Sequence, residues 1–175
     1  MISKFSLGQT VSLRSMSVGD IAVFHREFGA SPDVAICADS VSRNGVTPQV
    51  EVFTQDTFSP ARCFKGKRKE QMSNLTGWIP PGKVMVLPEF DSRITERSHG
   101  SGLTSKMLFV GKNGDLLIPV FDPVEPISDP IGWLSLTEAR LVFEPERLVE
   151  NLVGFGKWGM YIQSGVESVC IWRNE

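Results

Sequence analysis

The chain of 175 residues reads as a mainly β protein, an antiparallel sandwich or a partly open barrel. Three observations predict this. The 16 glycines and 11 prolines favour short elements and many turns over long helices. Short apolar runs recur between those turns at strand-like spacing. Ser105 to Asp122, SKMLFVGKNGDLLIPVFD, joins two such runs through Asn113-Gly114, a pair favoured where a hairpin turn needs positive φ at two successive residues. Neither run of this hairpin alternates apolar with polar, so both its faces should be covered and it belongs at the centre of the core. Pro119 cannot donate to a ladder, so its strand must be interrupted there or turn that side to an edge.

The other elements follow in chain order. Residues 10–15 (TVSLRS), 21–28 (IAVFHREF), 34–38 (VAICA) and 49–54 (QVEVFT) read as strands, the last with clear period two. Together they predict a four-stranded antiparallel meander, with Asn44-Gly45 as a turn. Residues 59–83 change character. They hold a basic run and then Gly77-Trp78-Ile79-Pro80-Pro81-Gly82, and they read as an excursion between two sub-halves, 1–58 and 84–175, of one domain spanning 1–175. Lys83 to Leu87 resumes as a strand that stops at Pro88. Residues 89–105 form a second long irregular segment.

After the central hairpin, Pro123, Pro126 and Pro130 dictate an extended loop. Trp133 to Phe143 fits two readings. Ser135 and Glu138 have the spacing of a helix capping box, while the apolar residues also allow a strand. Pro145, the apolar set Leu148, Val149 and Leu152, and Gly154 beyond them predict one short helix at about 145–153. Met160 to Gln163 and Val166 to Trp172, joined by Ser164-Gly165, read as a terminal hairpin.

Composition narrows the function classes. The net charge of −2 is not that of a globally basic nucleic-acid binder. It is unevenly spread: residues 1–110 carry 13 Lys and Arg against 10 Asp and Glu, and residues 111–175 carry 5 against 10. Such a split can orient a partner or a neighbouring copy. Cys37, Cys63 and Cys170 are an odd, widely spaced set, which argues against a disulfide framework or a thiolate zinc site and fits a reducing compartment. The first residues lack a signal-peptide core and no apolar run is long enough to span a bilayer, so a cytoplasmic location without a membrane partner is expected. Asn74-Leu75-Thr76 fits a glycosylation sequon, without the secretory signal that would give it meaning.

Four stretches have chemistry to offer. In the run 62–69, Arg62, Lys65, Lys67, Arg68 and Lys69 surround Phe64, a combination that can hold phosphates and stack a base; it equally serves as a solvated loop. Residues 89–99 contain Glu89, Asp91, Ser92, Glu96, Ser98 and His99, the ingredients of a hydrolase, but no nucleophile-elbow motif surrounds either serine. The two histidines, His25 and His99, have no metal-binding spacing, so no metal and no cofactor are expected. Finally, Trp133, Phe155, Trp158, Tyr161 and Trp172 crowd the last part of the chain, where they suit either a β core or an interface. Phe155, Trp158 and Tyr161 are the interface candidates, with Trp158 expected to be exposed because glycines surround it.

With no catalytic residues expected, the leading functional reading is a non-enzymatic interaction or assembly protein. It would be an accessory or structural protein of a virus or mobile element, or an inhibitor or adaptor, binding a larger protein or its own copies through loops or a β edge. A nucleic-acid-binding module using 62–69 and a hydrolase using 89–99 are the alternatives.

Overall fold

The computed structural model describes residues 8–25, 32–41, 48–55, 61–63, 74–94, 107–121, 130–142, 152–164 and 166–174. They form fifteen strands: β1 (Gln9–Ser12), β2 (Ile21–Phe24), β3 (Asp33–Val41), β4 (Pro48–Gln55), β5 (Ala61–Cys63), β6 (Thr76–Ile79), β7 (Val84–Pro88), β8 (Arg93–Ile94), β9 (Leu108–Val110), β10 (Leu116–Phe121), β11 (Gly132–Ser135), β12 (Arg140–Val142), β13 (Val153–Phe155), β14 (Trp158–Ser164) and β15 (Glu167–Arg173). Two short 3-10 turns, Leu13–Ser15 and Phe90–Ser92, are the only helical elements among the described residues. The mainly β class read from the sequence holds. Twelve strands make one sheet, and β15-β14-β7 make a second, smaller one.

The large sheet bends back on itself. Its pairings run from β3 to β4, β5, β10, β11 and β12 and return to β3. Three of these contacts, β4·β5, β5·β10 and β12·β3, are ladders of only two residue pairs. The result is a partly open barrel rather than a regular closed one. Two wings leave it. Along one side of β3, β2 pairs with residues 33–36 and β12 with residues 39–40, so β2-β6-β1 splay away from the ring. Along one side of β10, β9 pairs with residues 116–117 and β5 with residues 120–121, and β9-β13-β8 form the other wing.

Pro119 sits at that exchange of partners. The Leu116 and Val120 carbonyls accept from Leu136 N and Ile131 N, which places the backbone polar groups of 116, 118 and 120 toward β11. Residue 119 therefore faces the other way, between the last β9 pair and the first β5 pair, where no ladder bond is lost. The central hairpin is as expected in pairing and coverage. Ile118 and Val120 point to one apolar cluster, and Leu117 points to another with Met107, Phe109 and Trp133. Its turn differs from expectation. Only Gly114 takes positive φ (82°), and the Gly114 N–H donates to Gly111 O while Gly111 N–H donates to Asp115 O. This is the longer type of hairpin loop, with a type I turn followed by a left-handed glycine.

Several sequence expectations are corrected. The large sheet is mixed, since β3·β12 and β5·β10 run parallel. Strands so distant in sequence have no tight turn to fix their direction. The four-stranded meander has three members, because β1 pairs with β6 and not with β2. The 59–83 excursion thus contributes two strands of the large sheet. β6 was hard to read because it is short and holds Gly77, yet packing demands that glycine. A Cβ there would lie 2.7 Å from Leu13 Cδ2 and 2.9 Å from Ala22 Cβ. Trp133 to Phe143 resolves as the β11–β12 hairpin. The Ser135 hydroxyl does accept from the Glu138 N–H at 3.1 Å, but it closes a turn rather than a helix. Of the expected helix at 145–153, residues 145–151 lie outside the described residues and Val153 begins β13, so its C-terminal end is strand. The Asn44-Gly45 turn also lies outside them.

Five of the six ring strands fill its interior. Val34, Ile36 and Ala38 of β3, Phe53 of β4, Ile118 and Val120 of β10, Leu134 of β11 and Leu141 of β12 form one buried cluster. Alternate residues of β3, Ala35 and Cys37, face a second cluster with Leu13, Met16, Ala22 and Phe24. The small sheet adds Trp158, Met160 and Trp172 to the first cluster, and the two indoles lie 4.9 Å apart by ring centroid.

Ala139, in the β11–β12 turn, takes φ 51°, a left-handed conformation that a Cβ disfavours. Ala139→Gly is expected to raise unfolding free energy by up to about 1 kcal/mol, whereas Trp158→Ala, at a position with no solvent exposure, is expected to lower it by about 3–5 kcal/mol. Urea denaturation of the three chains checks both.

Candidate functional site: the outer face of the small sheet and the Phe90 turn

Strand alternation divides β14 between core and surface. Trp158 and Met160 point inward, and Gly159 and Tyr161 point outward. In register with Gly159 stand Leu87 on one side and Arg173 on the other; in register with Tyr161 stand Met85 and Cys170. Tyr161 leans back over Gly159, where a Cβ would approach its ring carbon Cε2 to 3.0 Å. Arg173 Nη2 donates to the Tyr161 hydroxyl at 3.3 Å, and Arg173 Nε makes an ion pair with Glu89 Oε1 at 3.2 Å. The hydrogen bond to Tyr161, then the charges of Tyr161 and Glu89, raise the Arg173 pKa above its ordinary value. Glu89 Oε1 is buried, and its ion pair lacks the geometry of a hydrogen bond.

A β-bulge interrupts this sheet. Met160 pairs with Trp172 and the next residue, Tyr161, pairs with Cys170, which leaves Ile171 as the extra residue. The bulge puts Trp172 in the core and Cys170 on the outside although they are two residues apart.

Just beyond β7, the 3-10 turn Phe90–Ser92 is pinned to the start of β14. Ser92 Oγ donates to the Glu89 carbonyl at 2.6 Å, with the Lys157 carbonyl as a second acceptor at 3.1 Å, and accepts from Lys157 N–H at 3.0 Å. Backbone bonds from Glu89 N to Lys157 O (2.9 Å), Ser92 N to Glu89 O (3.0 Å) and Gly156 N to Ser92 O (3.0 Å) complete the clasp. This fixed turn displays Phe90, whose residue is 80% exposed although its ring meets Phe155 edge-on at 6.0 Å. Among the described residues, five large apolar side chains are exposed. Four of them, Leu87, Phe90, Val166 and Val169, lie on the small sheet or its flanking turns.

The three aromatic candidates separate accordingly. Tyr161 is on the patch. Phe155 is buried and supports Phe90 from beneath. Trp158 is fully buried, which corrects the expectation of exposure: its neighbouring glycines allow close packing and do not mark a surface loop. Leu87 and Phe90 were not singled out in the sequence, although an aromatic residue between Glu89 and Asp91, after a strand ended by Pro88, is a legible signal of an exposed ring.

The remaining candidates lie elsewhere. Arg62 belongs to β5 with its backbone paired to Thr54 and Phe121, and Lys65, Lys67, Arg68 and Lys69 lie outside the described residues. So do Glu96, Ser98 and His99. Ser92, the described serine of the 89–99 segment, uses its hydroxyl proton and a lone pair on backbone groups, clasping the turn to β14. Among the described residues no group of three His, Cys, Asp or Glu side chains converges on a metal-sized site, and no helix is long and apolar enough to cross a membrane. No family model, curated protein or solved structure matches the chain.

The two described thiols differ sharply. Cys170 is exposed, while burial, aided by Asp20 and Asp39, pushes the Cys37 thiol up to about 11. Its folded-state value exceeds the ordinary 9.0, so the stability it contributes is complete below pH 9 and is lost as pH rises toward about 11. Urea titrations should show wild type losing more stability than Cys37→Ala across that window, and peptide mass mapping after native alkylation at pH 8 should find Cys170 modified and Cys37 intact. Removing the clasp with Ser92→Ala is expected to cost about 1–2 kcal/mol in the same titrations.

Proposed function

We propose that this is a non-enzymatic interaction or assembly protein that engages a protein partner through the Phe90 turn and the outer face of the small sheet. The observation that carries the reading is a phenylalanine held out by a hydrogen-bonded clasp. Exposing a ring costs solvation, and fixing it removes the entropy that binding would otherwise have to remove. Tyr161 and Arg173 lie on the same sheet face as Leu87, and aromatic residues with Arg are the side chains that most often dominate interface energetics. Salt-dependent nucleic-acid binding through Arg62 to Lys69 is the other reading; Lys65, Lys67, Arg68 and Lys69 lie outside the described residues.

The test is recovery of a stoichiometric protein from extract of the source cells by the tagged chain, in low and high salt. Phe90→Ala is expected to lose that protein while unfolding within about 0.5 kcal/mol of wild type, as exposed substitutions do. Retention of nucleic acid alone, lost at high salt and indifferent to Phe90, would overturn the reading.

A further inference from the structure

We propose that the partner seated on this patch is a second copy of the same chain, in a two-fold contact that brings Glu89 of each copy to Arg173 of the other. This rests on the interaction reading above and names its occupant. The residues next to the Phe90 turn in sequence or bonded to it carry both signs: Glu89 and Asp91 against Arg93, Lys157, whose backbone bonds Glu89 and Ser92, and Arg173, which pairs with Glu89. A partner drawn by a single strong field would meet a patch of one sign. A patch that sets an acid beside a base is instead its own complement, because a two-fold rotation lays each acid over the partner's base.

The groups at the centre have bonding capacity to give. Arg173 directs Nε to Glu89 and Nη2 to Tyr161, yet half of its side chain stays exposed, and a guanidinium has five N–H donors. Glu89 Oε1 is buried in the pair with its own Arg173, but 28% of the Glu89 side chain is exposed, and that part can meet a second guanidinium. Leu87 and Phe90 supply apolar surface beside this pair, and the two-fold operation presents the same surface on both sides.

The face, rather than the edge of β15 that pairs with no other described strand, is the contact. The bulge at Ile171, with Arg173 on the outer face and Glu167 in the opposite phase, interrupts the regular ladder that an added strand would need along that edge.

Sedimentation equilibrium of the full chain over a wide concentration range tests the proposal. The expected mass at the upper end is twice 19.4 kDa. Phe90→Asp and Arg173→Glu should each raise the dimer dissociation constant at least ~10-fold, and the exchanged pair Glu89→Arg with Arg173→Glu should restore it. Thermal melts monitor folding, and Phe90→Asp, at an exposed position, keeps the test valid if the Arg173 variants unfold. A monomer at every concentration, or a dimer that none of these changes weakens, overturns the proposal. A monomer that still recovers a foreign protein through Phe90 sinks the self-contact alone. A monomer that recovers nothing sinks the interaction reading with it.

Discussion

The structure depends on the burial of Trp158, Met160 and Trp172 against the interior of the six-stranded ring. The ring has too few long ladders to stand on hydrogen bonds alone. Three of its six contacts are two pairs long, and the side chains from β3, β4, β10, β11 and β12 must be covered where the barrel is open. The small sheet does this with two of the largest side chains the chain has. Because side chains alternate along a strand, the same commitment that sends Trp158 and Met160 inward sends Tyr161 outward. The core and the proposed interface are therefore two faces of one strand, β14. The clasp of the Phe90 turn is tied to residues 156 and 157, immediately before it.

This coupling explains how much of the fold was legible. Periodicity and turn chemistry report what neighbours along the chain do. They identified the central hairpin, the terminal hairpin, β7 and the β2-β3-β4 meander, all made by strands close in sequence. They also read both faces of the central hairpin as covered, because its apolar runs do not alternate. They did not find the insertion of β6 between β1 and β2, or the parallel contacts β3·β12 and β5·β10. Those pairings join segments far apart, and nothing local encodes which distant edge a strand meets. β6 shows the limit well: its Gly77 looks like a breaker in one dimension, and in three it is the gap into which Leu13 and Ala22 fit.

The site was legible only in part, for a related reason. A cluster of aromatic residues in the last third of the chain was apparent, but its division into core and surface follows from the phase of β14 relative to the ring. Tyr161 and Trp158 differ by three positions, an odd number, and so belong to opposite faces. Composition around Trp158 suggested a loop because glycine has two uses, turning a chain and letting a bulky neighbour lie close. Ser92 was read among the polar ingredients of the 89–99 segment, and its hydroxyl fastens two stretches of backbone. Polar side chains in a turn are as often part of its carpentry as of any chemistry.

The bulge at Ile171 has a consequence for how the molecule lives in a crowded solution. Among the described strands β15 lies at one end of the small sheet, and a sheet edge invites any other extended chain to add itself, then another. A single extra residue spoils that template. Around it the ladder is locally disrupted and the strand twists more strongly, which makes the edge a poorer template for an incoming segment. The irregularity thus works against the sheet acting as a template for its own extension, while the flat repeat of a fibre would need that edge to be regular.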